Sequence, residues 1–210
     1  MMQNNKTDSH IKLALFDFGG VIADEGFKLG LLSIGEANAI DPWIFYTSVV
    51  SIIAGCGYLT GEADEKTFWQ EVRKQFVLQG TNEDLRDKIF SRFTIRGWML
   101  ETVKQLRDQN IITAILSDQT DWLDRLNNKD DFFKYFDRVF NSFYLKQSKH
   151  NGGKIYEMVL SEMNVPADSS LFVDDNESNI KKAKLKGLHT IHYKDRKSFE
   201  TELCQIVNGK

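Results

Sequence analysis

The sequence predicts an α/β fold, an open parallel sheet with helices on both faces, carrying an inserted α-helical domain. Three observations predict it. Short apolar runs end in small or acidic residues, amphipathic segments separate them, and the first two runs stand about ninety residues apart with no alternating pattern between them.

The first run is Ile11-Lys12-Leu13-Ala14-Leu15-Phe16, closed by Asp17-Phe18-Gly19-Gly20, which is a buried strand ending in a tight turn. An amphipathic helix over Trp98–Gln109, with Met99, Leu100, Val103 and Leu106 on one face, leads into the strand Ile111–Leu116 and then Ser117-Asp118. A polar stretch from Thr120 to Phe136 precedes a third strand at Arg138–Ser142, and a helix over Lys154–Met163 follows. The fourth strand, Ser170–Val173, closes on Asp174-Asp175. A helix over Glu177–Lys186 stops at Gly187, and the strand His189–Tyr193 completes the alternation. Alternating strands and helices require parallel pairing with right-handed crossovers, and ligands in such sheets bind at the carboxyl ends of the strands. Asp17, Ser117 and Asp174-Asp175 are therefore expected on one edge.

Residues 25–96 are expected to form the helical domain, with the α/β core made of 11–24 and 97–210 and with 1–10 as a frayed tail. Leu29, Leu31, Leu32 and Ile34, the segment Pro42–Leu59, Thr67–Phe76 and Asp84–Phe93 supply its apolar faces. Because it begins just after the strand carrying Asp17, it is placed to cover the site as a lid. Pro42–Gly61 is twenty residues without a formal charge, but its prolyl, glycyl and hydroxyl residues and the lack of a basic flank favour a buried helix over a membrane span.

Composition narrows the function. The 210 residues carry 27 Lys and Arg against 30 Asp and Glu, a net charge of −3, which excludes a nucleic-acid-coating protein. With 41% hydrophobic residues the chain can build a core, and two distant cysteines, Cys56 and Cys204, support neither a disulfide framework nor a zinc site. A polar N-terminus without an apolar stretch fits a cytoplasmic protein, with no membrane and no nucleic acid as partner.

Asp17 before a Gly-Gly turn is placed as a nucleophile or metal ligand, since the turn amides can approach an anion closely; its other use is to cap the turn. Asp-Phe-Gly also matches a kinase tripeptide, but no room exists upstream for the rest of a kinase site. The adjacent carboxylates of Asp174 and Asp175 call for a cation, and hard oxygen ligands suit Mg²⁺; alternatively, Asp175 or Asn176 caps the following helix.

Together these elements resemble the haloacid dehalogenase superfamily, from about Ile11 to Tyr193, in the branch with a helical cap inserted after the first motif and a Rossmann-like core. The resemblance implies Asp17 as nucleophile, Ser117 as second motif and Lys149 as third, with His150 and Lys154 as alternative lysine-slot residues. It implies Mg²⁺ held by Asp17, the Gly19 carbonyl, Asp175 and Asp174, with Asn179 behind them, and phosphate held by Gly20, Ser117, Asp118 and Lys149. The family's first motif is Asp-x-Asp, and its second Asp, the general acid, is Gly19 here. That absence resembles the branch that includes sugar-1-phosphatases, whose leaving groups depart more easily. A positioned acid contributes roughly 10²–10⁴-fold in rate.

The activity implied is hydrolysis of a small-molecule phosphate ester, a sugar phosphate among the candidates, through an aspartyl-phosphate. Metal-independent 2-haloacid dehalogenation is the alternative, disfavoured by the acidic pair, and a catalytically weak binding protein is a third reading. Specificity is expected from insertion side chains among Phe27, Trp43, Phe45, Tyr46, Tyr58 and Trp69.

Overall fold

A computed structural model describes residues 10–208, so the expected tail lies almost wholly outside the described residues. Five strands form one sheet: β1 (Leu13–Phe16), β2 (Ile112–Ser117), β3 (Arg138–Asn141), β4 (Ser170–Asp174) and β5 (His189–His192). All neighbouring pairs are parallel, in the order β3-β2-β1-β4-β5. The chain thus leaves β1 towards one edge and returns to add β4 on its other side, so the sheet's switch point lies between β1 and β4. Phe16 pairs with Ile115 on β2 and with Val173 on β4. One residue further, Asp17 donates its amide to the Val173 carbonyl at 2.9 Å, which brings it level with Asp174.

Both faces of the sheet are apolar, and the period of two along each strand divides them. Leu13, Leu15, Ala114, Leu116 and Phe172 pack with Ile155, Val159 and Ile180 on one side. Ala14, Phe16, Ile115, Val173 and Ile191 pack on the other with Val103, Leu126 and Phe199.

Ten helices complete the described chain: α1 (Gly26–Ala37), α2 (Pro42–Gly55), α3 (Glu65–Gln75), α4 (Asn82–Phe90), α5 (Gly97–Asp108), α6 (Trp122–Asp130), α7 (Ser142–Leu145), α8 (Lys154–Met163), α9 (Glu177–Leu185) and α10 (Arg196–Asn208). Capping chemistry sets the starts of α2 to α4. Asp41 accepts the Trp43 and Ile44 amides ahead of Pro42, Asp64 accepts the Thr67 amide, and Thr81 and Asp84 form a reciprocal capping box. The apolar Pro42–Gly61 stretch is helical only to Gly55, 14 residues, and no helix among the described residues is long and apolar enough to cross a membrane.

Among the helices that the sequence did not predict are α6 and α10. The polar stretch after Thr120 contains α6, nine residues whose buried side chains are Trp122, Leu123 and Leu126, too few to announce a period amid Asp, Asn, Lys and Arg. Beyond β5, where the alternation had been expected to finish, α10 buries Phe199, Leu203 and Val207.

The insertion, α1 to α4, meets the core along two seams. At the first, the Asp24 amide donates to Thr94 and the Arg96 amide to Ile22, while the Arg96 guanidinium donates to the Gly20 and Val21 carbonyls and pairs with Asp24 at 3.1 Å. At the second, Trp122 of α6 is buried among Phe27, Tyr58, Phe68, Trp69 and Phe90, all insertion residues, with ring centroids 5.6–6.4 Å away. Insertion and sheet consequently share one continuous apolar cluster.

Candidate active site

The strand ends converge on Lys149. Its ammonium is 2.9 Å from Asp17 Oδ1, 2.8 Å from Asp174 Oδ2 and 3.4 Å from the Leu116 carbonyl, with the side chain only 1% exposed. Asp118 accepts the Lys149 amide on both carboxylate oxygens, at 2.9 and 3.0 Å, and Lys182 donates to the Lys149 carbonyl. The loop is therefore clamped through its main chain while its side chain is delivered to the strand ends. Burial by itself would lower the Lys149 pKa, but Asp17, Asp174 and Asp118 outweigh it and hold the group well above its usual value, so it stays an ammonium. Of the other two residues weighed for this slot, His150 is exposed, 3.7 Å from Asp118, and Lys154 is exposed at the start of α8.

Asp174 is fully buried and consumed by its neighbours: Oδ2 accepts from Lys149 and from Asn179 Nδ2 at 3.1 Å, and Oδ1 accepts the Asn176 amide at 2.7 Å. Asn176, not Asp175, caps α9 by accepting the Ser178 amide, which leaves the Asp175 carboxylate free of that duty. Asp175 lies against the Gly-Gly turn. Gly20 has φ +79°, and a Cβ there would come within 2.3 Å of Asp175 Oδ2, so both conformation and space demand glycine. The Asp17 carboxylate, 14% exposed, accepts the Phe18 amide at 2.7 Å on the same Oδ1 that meets Lys149.

Oxygens of Asp17, Asp174 and Asp175 lie within 4.8 Å of one another. Burial raises the Asp17 carboxyl, opposed by Lys149 and reinforced by Asp174, and burial followed by Asp174 raises Asp175. Three carboxylates facing one ammonium leave an uncompensated double negative charge. A divalent cation with hard-ligand preference fits that donor set.

Asp17, Asp175 and Lys149 line a cavity of about 300 Å³ together with Ser117, Gly19 and Glu25, and Asp174 lies buried behind them. Ser117 Oγ and Asn179 Oδ1 are buried without a protein partner, although buried polar atoms are normally paired. An apolar chamber of about 160 Å³ adjoins it, bounded by Val50, Ile53, Ala54, Leu59 and Trp122 and sharing Phe27, Tyr46 and His150 with the polar cavity. Of the six insertion aromatics, Phe27 and Tyr46 therefore face the site; Phe45, Tyr58 and Trp69 are buried and Trp43 is exposed.

Sequence reasoning did not single out Glu25. It sits at the N-cap position of α1, and burial, followed by the Asp175 charge, pushes its carboxyl up to about 7. Its nearness to the Gly19 turn arises in three dimensions, and no local pattern marks it.

A parallel α/β sheet whose switch point carries an aspartate, a buried lysine and an acidic pair defines a hydrolase class. The chain belongs to the haloacid dehalogenase-like hydrolases, whose family model matches residues 11–185, and is accordingly a hydrolytic enzyme. It is similar in fold to a predicted HAD-like family hydrolase from Porphyromonas gingivalis, TM-score 0.73 at 19% identity, covering 94% of this chain and 99% of that one. It is also similar to a HAD family enzyme of Bacteroides thetaiotaomicron in complex with magnesium and inorganic phosphate, TM-score 0.69 at 20% identity over 88% and 94% of the two chains. A third likeness is the L-2-haloacid dehalogenase of Xanthobacter autotrophicus with chloropropionic acid covalently bound, TM-score 0.64 at 18% identity over 93% and 83%. No curated protein matches the chain.

Proposed function

We propose that the protein is a Mg²⁺-dependent phosphomonoester hydrolase acting on a small phosphorylated metabolite. The observation that carries the reading is the charge imbalance of Asp17, Asp174 and Asp175 against Lys149 in a cavity where Ser117 Oγ lacks a protein partner. A haloacid substrate gives that imbalance no purpose. The Bacteroides enzyme, with its magnesium and phosphate, shows that the fold accommodates both in a relative.

Asp17 Oδ1 is fixed by the Phe18 amide and Lys149, which orients the carboxylate and leaves Oδ2 to attack phosphorus in line and form an aspartyl-phosphate. Ser117 Oγ, the Lys149 ammonium and the Gly20 and Asp118 amides hold the phosphoryl oxygens as charge shifts. Mg²⁺, held by Asp17, Asp175 and the Gly19 carbonyl, would supply charge neutralisation. Asp174 positions Lys149, and Asn179 positions Asp174. The adjoining chamber, walled by Val50, Ile53, Ala54 and Leu59, favours a leaving group with a compact apolar part over a polyol.

The test is parallel release of phosphate and of halide, with and without Mg²⁺, from acetyl phosphate, p-nitrophenyl phosphate, sugar 1- and 6-phosphates and 2-chloropropionate. Phosphate release that EDTA abolishes is expected. Metal-independent halide release sinks the proposal.

A further inference from the structure

The sequence lacks a side chain at position 19, and the structure shows what fills the space. A Cβ built on Gly19 would lie 2.8 Å from Glu25 Oε2 and 3.9 Å from the Phe93 ring. A residue with a side chain at 19 and the Glu25 carboxyl therefore compete for one volume. That volume borders the same cavity as Asp17 and Lys149.

Glu25 is held there by its backbone. The Asp24 amide is tied to Thr94 and the Gly26 amide to Asp24, and a Cβ on Gly26 would meet the Phe93 ring at 2.4 Å, so the turn packs flat on that ring. Among the neighbouring titratable groups, Asp118 clamps Lys149, Asp174 is hydrogen-bonded on both oxygens, and His150 stands half-exposed beside Asp118.

We propose that Glu25 is the proton donor to the leaving-group oxygen, its carboxyl standing in the space that a side chain at position 19 would otherwise fill. The inference rests on the phosphatase reading. As Asp17 Oδ2 bonds to phosphorus, the phosphorus–oxygen bond to the leaving group breaks, its electron pair stays on that oxygen, and the Glu25 proton moves to it, giving the free alcohol. The Glu25 carboxylate then takes a proton from the water that attacks the aspartyl-phosphate, the bond to Asp17 breaks, and inorganic phosphate and the original carboxylate are regenerated.

The experiment compares wild type with Glu25→Gln on propyl, phenyl and p-nitrophenyl phosphate and on acetyl phosphate, reading kcat/KM, which reports transfer to Asp17. The expected loss is about 10²–10⁴-fold for propyl phosphate and shrinks steadily as the leaving group becomes more acidic. With acetyl phosphate the variant accumulates phosphorylated protein, read by intact mass, because the second step has lost its base. Mg²⁺ affinity by calorimetry is expected to match wild type. In a Glu25→Ala background, Gly19→Asp is expected to restore propyl phosphate turnover at least tenfold by placing a carboxyl in the same space from the other side. Equal losses for all leaving groups, or loss of Mg²⁺ binding in Glu25→Gln, overturn the assignment. A wild-type protein that releases phosphate from none of these compounds overturns the phosphatase reading, and this inference with it.

Discussion

The two walls of the cavity are built on different principles. On the core wall, Asp17, Asp174, Asp118 and Lys149 saturate one another with short hydrogen bonds between 2.8 and 3.0 Å, fixed by three adjacent parallel strands. On the insertion wall, Glu25, Tyr46 and Phe27 come from helices packed over the sheet, and Glu25 faces Asp175 with no arginine or lysine ion pair among the described residues. The difference teaches where each kind of chemistry resides. The core wall is rigid, with carboxylates that outnumber its one ammonium, whereas the insertion wall keeps a single carboxyl whose ionisation is costly.

Four substitutions probe that contrast. Asp17→Asn keeps the shape of the core wall but removes the proposed nucleophile, and phosphate release is expected to fall by at least about 10⁴-fold in a steady-state assay. Lys149→Met leaves Asp17 and Asp174 buried without their shared cation. It is expected to cost about 3–5 kcal/mol of unfolding free energy in metal-free buffer, measured by urea titration.

On the insertion wall the sign reverses. Glu25 has a folded pKa of about 7 against an ordinary 4.5, so the folded protein holds its proton more tightly than the unfolded chain. Stability contributed by Glu25 is therefore full at acid pH and is lost as pH rises from about 4.5 to 7. In EDTA, Glu25→Gln is expected to stabilise the protein by about 1–3 kcal/mol at pH 8 and to do little at pH 4.5, which thermal melts at the two pH values can check. Lys154→Ala, on an exposed residue outside both walls, is expected to change stability by less than about 0.5 kcal/mol and turnover by less than a factor of two. A larger effect there would return the third-motif role to an open question.

Legibility in the sequence follows the same division. The core wall is written locally: an apolar run, then an aspartate or serine, repeated, so strand register alone brings Asp17 beside Asp174 and level with Leu116. Lys149 was narrowed to three neighbouring residues, because a loop that turns through left-handed backbone at Lys146, Gly152 and Gly153 has no period to count along. Glu25 was invisible for a different reason. Its place depends on Gly26 lying against Phe93 and on Asp24 meeting Thr94, contacts about seventy residues apart in sequence. The helix α6 was hidden because its few apolar side chains serve the insertion as much as the sheet: Trp122 alone touches five insertion rings.

That indole also decides how the door to the cavity works. The insertion was expected to cover the site as a lid, and Trp122 packs it onto the core like a bolt: truncating a buried tryptophan costs on the order of 3–5 kcal/mol. A ligand for the cavity that Lys28, Tyr46 and His150 help to line then has to fit walls which that bolt holds together.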